Sequence, residues 1–181
     1  GEALVKSGAK VAFLDINEEA VKKVVEGLGD NAMAVKCNCL DKADIARAKA
    51  EVNARFGKVN FLINGAGGNN PKATCDNETM TPDLTGVKDF FALDESGLKF
   101  VFDLNITSAF LVTQVFAEDM VKTGGNIINF TSASAFINSP TQAHYGASKG
   151  AVNAWSRTIA FEWMKYNIRV NLIAPYIKTP M

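Results

Sequence analysis

With 181 residues, 48% of them hydrophobic, the chain is long enough for one domain with a substantial core. Its 19 Lys and Arg balance 19 Asp and Glu, which argues against a nucleic-acid partner or an anionic membrane surface. Neither a signal peptide nor a transmembrane run is expected, and the predicted location is the cytoplasm. Cys37, Cys39 and Cys75 are odd in number and form no CxxC pair, and His144 is the single histidine. No metal site is therefore expected, and reduced thiols are.

The elements alternate along the chain. Residues 1–10 read as the end of a helix, stopped by Gly8. Val11 to Ile16 is a buried strand, and Asn17-Glu18-Glu19 caps a helix to about Leu28. Ala32 to Lys36 is a second strand, and Asp41 caps a helix to Phe56 that Gly57 ends. Val59 to Asn64 is a third strand, running into Gly65-Ala66-Gly67-Gly68. A helix is predicted from about Phe102 to Lys122, stopped by Gly124-Gly125, then a strand from Asn126 to Thr131. The helix carrying Tyr145 and Lys149 runs to about Tyr166, and Ile168 to Ala174 is the last strand. Short apolar strands separated by helices predict an α/β fold: a doubly wound parallel sheet covered on both faces.

Ligands bind such sheets beyond the carboxyl ends of the strands. Asp15, Asn64, Gly67, Ser132 and Pro175 all fall at that edge. Tyr145 and Lys149, four apart, share a helix face. An ammonium close to a phenol favours the phenolate, and a serine hydroxyl beside it can bond a substrate carbonyl or alcohol oxygen. These are the parts for moving a proton while a hydride moves elsewhere. Such a Tyr-Lys pair arises often on solvated helix faces; its place in this alternation of elements is what gives it weight.

Taken together, Asn64-Gly-Ala-Gly67, Asn105, Ser132, Tyr145-Gly-Ala-Ser-Lys149 and Arg169-Val-Asn-Leu-Ile-Ala-Pro175 resemble the short-chain dehydrogenase/reductase family, of Rossmann type, over nearly the whole chain. The resemblance implies Tyr145 as general acid/base, Ser132 as its substrate-orienting partner, and Lys149 as the residue that holds the nicotinamide ribose. Asn105 would kink its helix and anchor a water for proton relay, in keeping with the way an Asn competes for helix backbone groups. Asn64, Gly65, Ala66 and Gly67 would line the cofactor, and Pro175, Ile177 and Thr179 would meet its nicotinamide end. Tyr176 stands where the family commonly has Gly.

The run Asn64 to Thr74 and the later Phe90-Phe91-Ala-Leu-Asp94 resemble, more narrowly, the D-mannonate oxidoreductase (fructuronate reductase) branch. An insertion at about 69–100 is expected to lie over the substrate cleft, where Asn69, Asn70 and Lys72 suit a polyhydroxylated acid and its carboxylate. His144, next to the tyrosine, is a further substrate candidate, although a surface histidine at a helix entry reads at least as well. Asp15 can accept from adenosine ribose hydroxyls and would repel a 2′-phosphate, so NAD is predicted over NADP. Asn38 stands where the family usually faces the adenine with an aspartate.

No glycine-rich GxxxGxG turn occurs, so the first strand and its phosphate loop are missing, as are the last helix and strand of the family pattern. The chain therefore reads as a partial single domain, residues 1–181, with two inner strand edges unpaired. By itself it is expected to be unstable and inactive; soluble expression with cooperative melting would count against this. The predicted reaction is hydride transfer between a nicotinamide cofactor and a secondary alcohol or ketone, D-mannonate/D-fructuronate first. A gluconate, a 3-oxoacyl thioester or a noncatalytic nucleotide-binding remnant are the alternatives. A small-molecule substrate and a homo-oligomer, tetramer or dimer, are the expected partners.

Overall fold

In the computed structural model, which describes residues 1–80, 83 and 85–175, the predicted alternation is present. β1 (Val11–Asp15) pairs in parallel with β2 (Ala32–Lys36). β3 (Phe61–Asn64), β4 (Gly125–Phe130) and β5 (Ile168–Ile173) form a second parallel sheet in that order. Parallel neighbours need crossovers, and the helices supply them. They are α1 (Glu2–Lys6), α2 (Glu18–Val25), α3 (Lys42–Phe56), α4 (Glu95–Phe102), α5 (Ser108–Thr123) and α6 (Ala143–Trp163).

The local signals act as the sequence predicts. Asn17 accepts the amide of Ala20 at the start of α2, and Asp41 accepts those of Ala43 and Asp44 at the start of α3. Gly57 and Gly124, at φ 80° and 71°, end α3 and α5 in a backbone region that side chains rarely adopt.

Although the strands form two sheets, one hydrophobic core joins them. Met33 and Val35 of β2, Ile45 and Val52 of α3, Leu62 of β3, Val112 and Met120 of α5, Ile127 of β4 and Ile168 of β5 all belong to it. Each fully buried aliphatic side chain of this kind contributes about 1.5–3 kcal/mol. Polar contacts brace α3 against α5: the Lys49 ammonium donates to the Val115 carbonyl at 2.9 Å and lies 3.2 Å from the Asp119 carboxylate. Among the described residues, β1 and β3 each pair on one side only, as the sequence predicts for the inner edges. Phe61 and Ile63, alternate residues on one face of β3, are 39% and 41% exposed.

One expectation needs correction. The helix predicted from about Phe102 begins at Glu95. Asp94 caps it by accepting the Ser96 amide at 2.7 Å, a start signal hidden in a loop-like stretch. The resulting helical run, Glu95–Thr123, has 29 residues and is, by length and composition only, long and apolar enough to cross a membrane. Half of its apolar window is buried inside the domain, where Val112, Phe116 and Met120 join the core.

Candidate active site

β4 delivers Ser132 to the carboxyl edge of the sheet, and α6 presents Tyr145 and Lys149 beside it. The backbone turns just after Ser132, whose Oγ accepts the Ser134 amide at 3.2 Å and contacts the Ser134 hydroxyl at 3.3 Å. Lys149 is 5% exposed. Its ammonium donates to the Phe130 carbonyl at 3.0 Å and stands 5.8 Å from the centre of the Tyr145 ring. Burial pulls this ammonium below the ordinary lysine range. A second tie, from the Thr131 hydroxyl to the Lys149 carbonyl at 3.0 Å, locks α6 to the end of β4. Ser132, Tyr145 and Lys149 line one cavity of about 220 Å³ with Gly65, Gly67, Gly68, Phe130, Thr131 and Pro175.

Asn105 stands behind that cavity, 2% exposed. Its amide nitrogen donates to the Gly68 carbonyl at 2.9 Å and the Ser148 hydroxyl at 3.0 Å, while its oxygen accepts the Gly68 amide at 2.9 Å. Around it the helix opens into a π turn, Asp103–Thr107, between α4 and α5. That is the form taken by the disruption expected at this asparagine, and π turns are frequent at functional sites. Gly67 is closely packed: a Cβ there would sit 2.8 Å from Asn105 Oδ1 and 3.1 Å from Lys149 Nζ.

Asn64 points inward. Its amide donates to the Thr113 hydroxyl at 2.8 Å and to Asn129 Oδ1 at 2.7 Å, and Asn129 in turn donates to the Ser156 hydroxyl at 2.8 Å. This buried chain ties β3, β4, α5 and α6 together. Sequence reasoning missed Asn129, Ser156, Thr113 and Ser148. The available signal was Asn129 itself, a polar residue two positions from Ile127 on the buried face of the strand.

A family profile described as short chain dehydrogenase matches residues 1–181. The chain belongs to the short-chain dehydrogenase family. Among its relatives, an oxidoreductase of Haemophilus influenzae is 43% identical over 177 residues, covering 95% of this chain and 62% of the relative. The 3-beta-hydroxysteroid dehydrogenase of Comamonas testosteroni is 38% identical over 181 residues, covering 98% and 65%. A solved Haemophilus structure, of a candidate D-mannonate oxidoreductase with bound NAD, superposes with a TM-score of 0.93 at 41% identity, covering 96% of this chain and 64% of that one. The chain thus spans a little under two thirds of the length of these short-chain dehydrogenases.

Not every expected site residue of this short-chain dehydrogenase reaches the cavity. Asp15 is exposed at the end of β1, where its Oδ1 accepts the Asn17 amide at 2.8 Å. Asn38 is exposed beyond β2, its Oδ1 accepting the Leu40 amide at 3.0 Å. Ala66 lies exposed in the turn between Gly65 and Gly67. Asn69 and Asn70 line a separate open groove of about 350 Å³ with Pro71, Thr74, Cys75 and Lys88. Asn69 bonds Thr74, Asn70 caps the turn at Pro71–Ala73, and Lys72 lies 3.5 Å from the Asp94 carboxylate. His144 is half-buried and meets the Phe90 ring edge-on at 6.3 Å. Another tie, from the Cys75 amide to the Thr141 carbonyl at 3.0 Å, holds this segment against the entry to α6. Ile177 and Thr179, with Tyr176, lie outside the described residues.

Proposed function

We propose that Ser132, Tyr145 and Lys149 carry out the proton chemistry of a NAD-linked oxidoreductase that interconverts a secondary alcohol and a ketone, with D-mannonate and D-fructuronate as the substrate pair. The observation that carries this reading is the shared cavity that Ser132, Tyr145 and Lys149 line. Tyr145 exchanges the proton of the substrate oxygen, and Ser132 donates a hydrogen bond to that oxygen. Lys149 supplies positive charge beside the phenol and a donor for ribose hydroxyls.

The residues present fit a dinucleotide. Gly67 keeps the cavity wall open where a side chain would collide with Asn105 and Lys149. Asp15 keeps one carboxylate oxygen free of the Asn17 bond to accept from the adenosine ribose, and Asn38 would face the adenine. When bound, the nicotinamide supplies or takes the hydride. The NAD held by the Haemophilus relative supports the cofactor assignment, and that relative's description supports the sugar acid. For the whole protein we propose a homo-oligomer and a cytoplasmic location. Exposed aromatic side chains on α5 and α6, Phe110 and Phe161, support the former.

The test is turnover by the full-length protein of D-fructuronate with NADH or NADPH, followed by nicotinamide absorbance, beside a Tyr145→Phe control. Oxidation of NADH that the substitution abolishes supports the reading. NADH binding without turnover of any sugar acid would leave the reaction class and remove the substrate; no binding would favour a noncatalytic remnant.

A further inference from the structure

Ser132 closes a line of three half-buried hydroxyls that crosses from the end of β4 to the entry of α6. The Ser139 hydroxyl donates to Ser134 Oγ at 2.9 Å, and the Ser132 hydroxyl donates to that same oxygen at 3.3 Å. The Ser134 amide meanwhile donates to Ser132 Oγ at 3.2 Å. Both outer serines are fixed by α6. The Ser139 carbonyl accepts the Gln142 amide at 3.2 Å, just before the helix begins. Ser134 packs on the turn that carries the tyrosine: a Cβ on Gly146 would lie 2.9 Å from the Ser134 carbonyl oxygen. A serine hydroxyl has one proton and two acceptor lone pairs. At 3.3 Å the bond that Ser132 donates is long, since hydroxyl pairs usually stand about 2.7–2.8 Å apart. The Ser132 proton is therefore weakly held and readily redirected to an oxygen in the cavity. Once it turns, Ser132 Oγ has a lone pair open toward Ser134, and the Ser134 proton, unused in the resting line, can fill it.

We propose that Ser134 and Ser139 are positioning residues that act through Ser132: when a substrate oxygen takes the Ser132 proton, Ser134 turns its own proton to Ser132 Oγ while Ser139 continues to donate to Ser134. Two hydroxyls rotate and no O–H bond breaks. Each bond in the line then polarises the next toward the reacting oxygen. That oxygen gains negative charge as hydride arrives at a ketone or as the proton leaves an alcohol. The reinforcement is therefore stronger in the transition state than in the bound substrate, and its loss falls on kcat more than on KM. The role rests on the reaction proposed above for Ser132, Tyr145 and Lys149.

The test is steady-state turnover of D-fructuronate with NADH by the full-length protein. The parent is compared with Ser132→Ala, Ser134→Ala and Ser139→Ala, and with the two double variants that join Ser134→Ala to each of the others. Ser134→Ala removes the hydroxyl alone, because the group that donates to Ser132 Oγ at 3.2 Å is the backbone amide; the urea unfolding midpoint should stay at the parent's. In Ser134→Ala, kcat should fall roughly three- to tenfold, the worth of one hydrogen bond, with KM for both substrates near the parent's. Ser139→Ala should cost less, and Ser139→Thr, which keeps the hydroxyl, should retain the parent's kcat. In the Ser132→Ala background Ser134→Ala should cost nothing further, and Ser139→Ala should likewise add nothing to Ser134→Ala. A merely structural role would persist in those backgrounds, and that result would overturn the positioning role. So would a loss confined to KM, or parent kcat in Ser134→Ala while Ser132→Ala is impaired. A parent that turns over D-fructuronate but is indifferent to Ser132→Ala would remove the residue through which the line acts. Absence of turnover in the parent would sink the proposed reaction itself, and the positioning role with it.

Discussion

The Lys149 ammonium is held between the Phe130 carbonyl, 3.0 Å away, and the face of the Tyr145 ring, 5.8 Å from its centre. The first contact anchors the charge to the strand that leads to Ser132; the second sets it over the ring of Tyr145. Three residues from two elements are thereby fixed relative to one another by a single buried cation. The consequence is a separation of roles that substitution can expose.

Tyr145→Phe removes only a hydroxyl at a half-buried position. Turnover of the full-length protein is expected to drop by a factor of about 10²–10⁴, the usual worth of a positioned acid/base. NADH affinity and the unfolding midpoint should stay close to the parent's. A matching loss of affinity would mean that the ring positions cofactor and does not move the proton.

Lys149→Met should divide stability from activity. Burial lowers the Lys149 pKa, so between that lowered value and the unfolded lysine value of about 10.4 the unfolded state binds more protons than the folded one. Parent stability attributable to this group therefore rises with pH across that window, and below it the fold carries the full desolvation penalty. The variant is expected to match or exceed the parent in urea unfolding at neutral pH, with the advantage shrinking as pH rises through the window. Turnover should be lost at every pH.

Asn129→Ala breaks the chain that runs from Thr113 through Asn64 and Asn129 to Ser156. It removes one of the two acceptors of the Asn64 amide and leaves the Ser156 hydroxyl without its Asn129 donor in a dry interior, at about 1–3 kcal/mol for a group left unpaired. Denaturant unfolding should show this loss. A cycle with Ser156→Ala should give strongly non-additive effects, since the two residues share one bond. Additive effects would show that the network is not cooperative.

Asn105→Leu cancels both hydrogen bonds to Gly68 and the bond to Ser148. Faster amide exchange at Gly68 and a higher KM for NADH are expected, with the fall in kcat secondary. Gly67→Ala should weaken NADH binding from the other side of the same contact, because its Cβ would fall 2.8 Å from Asn105 Oδ1. An alanine variant that binds NADH normally would show that the wall yields.

The strands, the helix caps at Asn17 and Asp41, and the glycine stops at Gly57 and Gly124 were legible in the sequence because each depends on a few neighbouring residues. The same holds for Tyr145 and Lys149, whose spacing on one helix needs no knowledge of the rest of the chain. The start of α4 was not legible, since Asp94 lies in a stretch with the composition of a loop. Asn64 read as a ligand of the cavity, yet its amide turns inward to Thr113 and Asn129. Which way a strand-end asparagine points depends on residues 49 and 65 positions away, and local pattern carries no information about them. The sequence by itself determined the order of elements and the chemistry available at the sheet edge. Tertiary structure alone decided which side chains share the cavity and how Asn105 is satisfied by Gly68 and Ser148 around a π turn. Those outcomes come from packing between distant segments, where a buried polar group must find whatever partner the fold brings to it.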